Sequence, residues 1–292
     1  MSCSKKIKNS ELLELAAWGR AELFRAGIEE AQEECERILM NLFGCARSAI
    51  YLEEHAISGN AREQFISLIE KRVQRIPLAY LLRETDFWQE TLYVDERCLI
   101  PRPETEILVE KVLKVLGMDL GRPFSFLDIG TGSGAIAVAI LRAYKNAQGT
   151  LLDISKETLE VAQKNLKRYD LEDRAKRVQG DLFKPFPTNE SWDLIVSNPP
   201  YLSEEDWNEV QEELRHEPRR ALDGGKDGLD YYRKIIAGSA DHLTPGGLLA
   251  LEVGQGQAEE VSKWLQEAGY VNIQRFNDHL GIQRVVTAQK HS

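Results

Sequence analysis

Apolar positions early in the chain repeat at helical spacing. Ala31, Cys35, Ile38, Leu39 and Leu42 fall at i, i+4, i+7, i+8 and i+11, one face of a helix. Gly44 stands where a left-handed cap closes such a helix. Phe65, Leu68, Ile69, Val73 and Ile76 repeat the pattern until Pro77, which has no N–H to give, ends it. Leu12, Leu15, Ala16 and Leu23 predict an earlier helix closed near Gly27. Residues 1–84 thus read as a small helical bundle. Phe87, Trp88, Leu92, Tyr93 and Val94, with polar residues between them, predict a β-hairpin within 86–100.

Beyond it the pattern changes period. Pro101 and Pro103 fix an extended entry, and Glu104 and Glu106 suit the first turn of a helix over 107–116. Strands are then expected at 125–129, 149–154, 175–179, 192–197 and 247–253, with helices at 135–143, 156–168, 229–243 and 258–268. Such alternation predicts an open parallel α/β sheet. Two last strands, 271–276 and 283–287, have no full helix between them and predict an antiparallel hairpin at one edge. The expected organisation is a helical domain over 1–84, a β-hairpin linker over 85–101 and an α/β domain over 102–292.

Charge narrows the partners. Of 292 residues, 37 are Lys or Arg and 47 are Asp or Glu, a net charge of −10. Residues 1–84 carry 12 Lys+Arg and 13 Asp+Glu, which leaves 25 against 34, or −9, for the remainder. Bulk binding to a polyanion needs the opposite balance. Cys3, Cys35, Cys45 and Cys98 form no C-x-x-C pair, and no H-E-x-x-H occurs, so no metal is expected and buried thiols in a reducing compartment are. Residues 1–10 are polar and lysine-rich with no apolar run behind them, and the longest apolar run, 135–141, is too short for a bilayer. A cytoplasmic protein without a membrane partner is the expectation.

Three motifs carry chemistry. In Leu127-Asp128-Ile129-Gly130-Thr131-Gly132-Ser133-Gly134-Ala135 a strand turns through glycines into a helix. Gly130, Thr131, Gly132, Ser133 and Gly134 are candidates to approach a ligand closely, with helix N–H groups behind them. Gly130, Gly132 and Ala135 also fit the dinucleotide pattern, so the loop alone leaves the ligand open. Asp153, 23 residues after Gly130 at the end of the next strand, can accept from both ribose hydroxyls of an adenine nucleoside. NAD and S-adenosylmethionine share that device. Asp181, with Leu182, is placed to meet the adenine or to cap a turn.

The third motif, Asn198-Pro199-Pro200-Tyr201, follows the apolar strand Leu194-Ile195-Val196. A planar NH2 group has its lone pair delocalised, and acceptors on both of its N–H bonds hold it and raise its electron density. The Asn198 side-chain carbonyl and the Pro199 backbone carbonyl suit that task, Pro200 stiffens the loop, and Tyr201 offers a flat stacking face. Asn198, Pro199 and Tyr201 are the candidate catalytic residues, with Asn198 also beside the cofactor. A NAD oxidoreductase would leave this loop unexplained.

At these residues the chain resembles class I S-adenosylmethionine-dependent methyltransferases that act on an amide or exocyclic NH2. Pro77-Leu78-Ala79-Tyr80-Leu81, Phe87-Trp88, Leu99-Ile100-Pro101-Arg102-Pro103-Glu104-Thr105-Glu106, Glu217-Pro218, Ala221-Leu222, Asp227-Gly228-Leu229 and Tyr232 narrow the resemblance to the peptide chain release factor glutamine methyltransferases, over nearly the whole chain. Leu82-Arg83-Glu84-Thr85-Asp86 and Gly281-Ile282-Gln283-Arg284 depart from that pattern without touching the motifs above. The resemblance implies a Rossmann-like, mostly parallel sheet with an antiparallel C-terminal edge, preceded by an all-α domain that recognises the protein substrate. It implies S-adenosyl-L-methionine as cofactor, and as substrate the glutamine of the Gly-Gly-Gln loop in peptide chain release factors. A monomer is expected. The other readings of the same loop are a nucleic-acid amino methyltransferase of the adenine N6 type and a ribosomal-protein glutamine methyltransferase.

Overall fold

The structure is a computed structural model that describes residues 9–52, 59–117, 119 and 121–291. Cys3 and the lysine-rich stretch 1–8 lie outside the described residues. The chain divides into two compact units, Met1–Arg83 with Glu212–His216, and Glu84–Gln211 with Glu217–Ser292. The division falls beside the expected boundary at 84. Glu212–His216, expected in the second domain, falls in the helical unit, and the hairpin falls in the second.

The helical unit holds α1 (Asn9–Arg25), α2 (Ala31–Phe43), α3 (Arg47–Leu52), α4 (Gly59–Val73) and α5 (Leu78–Leu82). Leu12, Leu23, Cys35, Ile38, Leu39, Ile50, Phe65 and Ile69 form its core. Gly44 caps α2 in the left-handed region, its N–H donating to the Met40 carbonyl. Helix α4 stops at Val73, short of Ile76, because Arg75 turns the chain at φ 65°. Arg75 also donates to the Ala26 carbonyl at 2.6 Å.

Within this unit the buried Arg72 guanidinium grips two carboxylates. Its Nε and Nη2 donate to Glu34 at 2.6 and 3.1 Å, and its Nη1 donates to Glu213 at 3.1 Å. Arg75 Nη1 meets the same Glu213 oxygen at 3.1 Å. Glu213 sits in a short 3-10 turn, Glu212–His216. Burial pushes its carboxyl up, but the hydrogen bonds from Arg75 and Arg72 prevail and hold it below the usual range.

The second unit is built on β3 (Phe124–Ile129), β4 (Ala147–Asp153), β5 (Ala175–Gln179), β6 (Trp192–Ser197), β7 (Leu243–Glu252), β8 (Val271–Asn277) and β9 (Gln283–Gln289). They form one sheet in the order β5-β4-β3-β6-β7-β9-β8. The first five are parallel neighbours, and β9 is antiparallel to both β7 and β8. Side chains alternate across a strand, so each buried strand feeds two cores. Phe126, Leu194, Val196 and Ala250 join one core with α6 (Pro103–Leu116), α7 (Ala135–Ala143) and α8 (Lys156–Arg168). Leu127, Ile129, Ile195 and Leu251 join the other with α10 (Asp230–His242) and α11 (Ala258–Glu267). The short helix α9 (Glu204–Glu209) and the edge strand β5, whose residues are half-buried or exposed, left the weakest periodicity.

Several expectations change in extent: α6 begins at Pro103, not at 107, with Pro103 in its first turn and the extended entry ending at Arg102, and β4 runs over Ala147–Asp153, not 149–154. The hairpin keeps only β1 (Thr85–Phe87) and β2 (Glu90–Leu92). It ends there because the Asn165 side chain takes the Tyr93 backbone: Asn165 Oδ1 accepts the Tyr93 N–H at 2.7 Å and Nδ2 donates to the Tyr93 carbonyl at 2.9 Å. Strand β7 starts at Leu243, not at 247, since Leu243 pairs with Trp192 before a register shift. Among the described residues no helix is long and apolar enough to cross a membrane.

Candidate active site

The glycine turn leaves β3 at the carboxyl edge of the sheet, where open α/β sheets bind ligands. The Gly130 and Thr131 N–H groups both donate to the Leu152 carbonyl, at 2.8 and 2.9 Å, which pins the turn against β4. Gly130 and Gly132 lie in the left-handed region, at φ 69° and 57°. A Cβ at Gly130 would meet no atom within 4 Å, yet Gly130 and Gly132 both line a cleft. Bare backbone there leaves room that side chains would take. The cleft opens to solvent and has a mostly apolar lining broken by a few polar groups, the character of a small-molecule site.

Asp153, at the end of β4, lines the same cleft. Its Oδ2 accepts the Gly132 N–H at 3.1 Å and its Oδ1 the Ser155 N–H at 2.9 Å. A carboxylate has about four lone-pair sites, so acceptor capacity remains on both oxygens. Burial raises its pKa, against those hydrogen bonds. Ser155 caps α8 by accepting the Thr158 N–H at 3.1 Å, and Arg220 Nη2 donates to the same Ser155 oxygen at 3.1 Å. A cation thus stands close to Asp153.

Asp128 lies beneath the turn, fully buried. Its Oδ2 accepts the Thr131 hydroxyl at 2.7 Å, and its Oδ1 has no hydrogen-bond partner among the described residues. Burial pushes its carboxyl up to about 7. Ser133 gives its carbonyl to Asn165 Nδ2 at 2.8 Å. Gly134 begins α7, where a Cβ would stand 3.3 Å from the Ala162 Cβ. Thr131, Ser133 and Gly134 therefore shape the turn, and none of the three is a wall of the cleft.

The Asn198-Pro199-Pro200 segment lines the same cleft. Ser197 Oγ donates to the Ile129 carbonyl at 2.8 Å, which sets the end of β6 beside the end of β3. Asn198 Nδ2 donates to Thr105 Oγ1 at 3.0 Å. Farther along, the Leu202 N–H donates to the Leu222 carbonyl at 2.9 Å, and the Gly224 N–H to the Leu202 carbonyl at 2.8 Å. Gln257 ties Tyr201 down, its Nε2 donating to the Tyr201 carbonyl at 2.9 Å while its Oε1 accepts the Gly254 N–H at 2.9 Å. Gly228 has φ 73°, and a Cβ on it would stand 2.3 Å from the Tyr201 carbonyl oxygen. This explains why a glycine follows Asp227.

Tyr201 is not a wall of the cleft; its ring packs against the α10–α11 core. Burial, then the charge of Glu252, pushes its phenol up to about 12, so it is neutral at physiological pH. Asp181 and Leu182 do line the cleft, and Asp181 pairs with Lys184 at 2.6 Å. The structure thus brings Gly130, Gly132, Asp153, Asp181, Leu182, Asn198, Pro199 and Pro200 around one space. It adds Arg97, Leu99, Thr158, Arg220 and Tyr231, which periodicity did not single out. Their neighbours Leu99-Ile100-Pro101 and Glu217-Pro218 held the available signal. Cys98, deep beside the cleft, has a thiol pushed up to about 12 by burial, an unreactive form. Among the described residues no group of three or more His, Cys, Asp or Glu stands together as a metal site.

Known proteins match over both units. The family described as methyltransferase small domain matches residues 104–228, and that described as PrmC N-terminal domain matches residues 14–82. A release factor glutamine methyltransferase of Clostridium acetobutylicum is 39% identical over 237 residues, 80% of this chain and 82% of that protein. One of Geobacter sulfurreducens is 37% identical over 271 residues, covering 92% of this chain and 93% of that protein. A solved methyltransferase structure from Pyrococcus furiosus covers 69% of this chain and 89% of its own at a TM-score of 0.52 and 21% identity, a likeness of fold.

Proposed function

As the chain belongs to the release factor glutamine methyltransferase family, we propose that it methylates the side-chain amide nitrogen of a glutamine in a peptide chain release factor, with S-adenosylmethionine as donor. The observation that carries this reading is the shared cleft: the Asn198-Pro199-Pro200 wall faces the space lined by Gly130, Gly132 and Asp153.

The cleft fits the cofactor in two respects, the room left by bare glycine backbone and the remaining acceptor capacity of Asp153. When bound, S-adenosylmethionine would supply an electrophilic sulfonium methyl to the amide nitrogen; the N–C bond forms as the S–C bond breaks, S-adenosylhomocysteine leaves as the neutral thioether, and one amide proton is lost to water. Asp153 would hold the ribose hydroxyls, Gly130 and Gly132 the amino-acid part, and Asp181 with Leu182 the adenine. Asn198 Oδ1 and the Pro199 carbonyl accept the two N–H bonds of the substrate amide and stabilise the positive charge that grows on nitrogen. Tyr201, its ring packed against the α10–α11 core, would brace the Asn198–Pro200 segment from behind, and its neutral phenol does not act as a base. Residues 1–84 would contact the release factor, since one glutamine on a loop offers too little surface for specificity.

The test is transfer of labelled methyl from S-adenosylmethionine to a purified release factor. One methyl per factor is expected, and none on a factor whose Gly-Gly-Gln glutamine is changed to alanine. Label on the alanine factor, or only in nucleic acid, would reject the reading.

A further inference from the structure

Glu217 is 5% exposed, and both of its carboxyl oxygens are taken. Its Oε2 accepts the Ile100 backbone N–H at 3.0 Å, and its Oε1 accepts from Nη2 of the Arg102 guanidinium. Pro101 and Pro103, the residues between and beside these two, have no N–H to give. The segment therefore offers only the N–H groups of Ile100 and Arg102, and it lies between β2 and α6 in no strand. A buried side chain holds it where a ladder does not. A carboxyl inside the protein is costly unless paired and hydrogen-bonded, and Glu217 is both. Such a pair is a weak source of stability, since apolar residues of the same volume serve as well. What the pair holds in place is the better account of it.

The clamp reaches the cleft by three routes. Leu99 precedes Ile100 and Pro218 follows Glu217, and both line the cleft. On the far side of Arg102, α6 begins with Pro103 as its first residue. No side chain caps that helix start, so the place of its first turn depends on what grips the residues before it. The Arg102 carbonyl accepts the Thr105 N–H at 3.0 Å. Thr105 Oγ1 in turn accepts from Asn198 Nδ2 at 3.0 Å. An unbroken run of contacts thus leads from Glu217 through Arg102 and Thr105 to Asn198.

We propose that Glu217 is a positioning residue for methyl transfer, which grips Ile100 and Arg102 and so sets the first turn of α6, and with it Asn198, in the cleft. This rests on the reading that Asn198 holds the methyl acceptor. It gives one task to Leu99-Ile100-Pro101-Arg102-Pro103 and to Glu217-Pro218, stretches far apart in the chain that meet only through this carboxylate. Glu217 itself touches neither substrate nor cofactor. Its effect is on geometry, and a displacement of about 1 Å at a reacting group is enough to slow a reaction strongly.

The experiment compares Glu217→Gln, Arg102→Met and the double variant. Glutamine keeps the volume and an oxygen for the Ile100 N–H, but it removes the charge that Arg102 meets. Steady-state methylation of the release factor gives kcat and KM, calorimetry gives the affinity for S-adenosylhomocysteine, and a denaturant titration shows that each variant is folded. Glu217→Gln should lower kcat by about 10–100-fold, the scale of a misplaced reacting group. KM and S-adenosylhomocysteine affinity should stay within about threefold, because the clamp touches none of Gly130, Gly132 and Asp153. Arg102→Met should lower kcat to a similar degree and the double variant no further, since both remove the same contact. A pair with a purely structural role would couple in the denaturant titration and leave kcat of the folded chain unmoved. A wild-type kcat in folded Glu217→Gln therefore overturns the proposal, as do single losses that multiply in the double variant. A kcat loss matched by an equal loss of S-adenosylhomocysteine affinity also overturns it, by placing the effect at the cofactor. Should a single variant not fold, the double variant, with no charge left unpaired, decides: a lowered kcat at unchanged affinity supports the proposal and a wild-type kcat rejects it. Failure of the wild-type chain to label the factor at all would reject the underlying reading instead.

Discussion

Asn165 and Tyr93 exchange two hydrogen bonds, 2.7 Å from the Tyr93 N–H to Asn165 Oδ1 and 2.9 Å from Asn165 Nδ2 to the Tyr93 carbonyl. The same Nδ2 reaches the Ser133 carbonyl at 2.8 Å. One fully buried side chain thus fastens the end of the hairpin to the glycine turn. Asn165→Leu leaves three backbone groups without this partner and should cost about 2–4 kcal/mol in a denaturant titration. S-adenosylhomocysteine affinity should fall with it. A loss under about 0.5 kcal/mol would mean that water replaces the amide freely.

Asp153→Ala tests the cofactor end of the cleft. Two charge-assisted hydrogen bonds of about 1.5–3 kcal/mol each are at stake, partly offset by water. S-adenosylmethionine should bind at least about tenfold more weakly by calorimetry, with a smaller change in the rate at saturation. Unchanged affinity would remove Asp153 from the site.

Gly228→Ala should act on the Asn198–Tyr201 loop without changing any of its own residues. The new Cβ would stand 2.3 Å from the Tyr201 carbonyl, at φ 73°, where an alanine is strained in any case. A loss of about 1–3 kcal/mol in stability is expected, with single-turnover methylation slowed at least about tenfold as the loop shifts. Normal single-turnover rates in a destabilised variant would show that the loop adjusts elsewhere.

Stability should depend on pH through Asp128 and Glu252. Burial pushes both carboxyls up to about 7. The folded chain therefore holds more protons than the unfolded one between about pH 4 and pH 7. Stability is full below the unfolded values and is lost as pH rises through about 7, at no more than about 1.4 kcal/mol per unit for each group. Asp95 works in the opposite sense: burial raises it, but hydrogen bonds from Arg97 and Tyr93 win and bring it to about 2, so its contribution is lost as pH falls from about 4 toward 2. Thermal melts of Asp128→Asn from pH 5 to 8 should fall less steeply than those of the parent chain. Equal slopes would show that Asp128 does not titrate in this range.

Much of the second unit was legible because its strands are continuous apolar runs bounded by motifs. The strand Trp192–Ser197 and the helices Ala135–Ala143 and Lys156–Arg168 lie where periodicity puts them. The hairpin's true length was not legible, because it is set by Asn165, 72 residues away from Tyr93. Asp153 and Asn198 stood out in the sequence because each comes at a strand end beside a recognisable turn, and both line the cleft. Arg220, Gln257 and Thr105 reach the site from other elements, and no local spacing announces them. Thr131 and Ser133 show the converse: a motif position does not reveal whether a residue faces the ligand or braces the turn.

The grip of Arg72 and Arg75 on Glu213 makes the helical unit discontinuous in sequence. The chain leaves the second unit after Gln211 and re-enters it at Glu217, ten residues past Tyr201 at one end and beside Pro218 at the other. The chain thus passes between the units three times, not once. Residues 1–83 therefore do not form an exchangeable cassette. A chimera that takes its helices from one relative and the remainder from another brings together two halves of a charge cluster that were never matched, unless the segment at 212–216 travels with the helices.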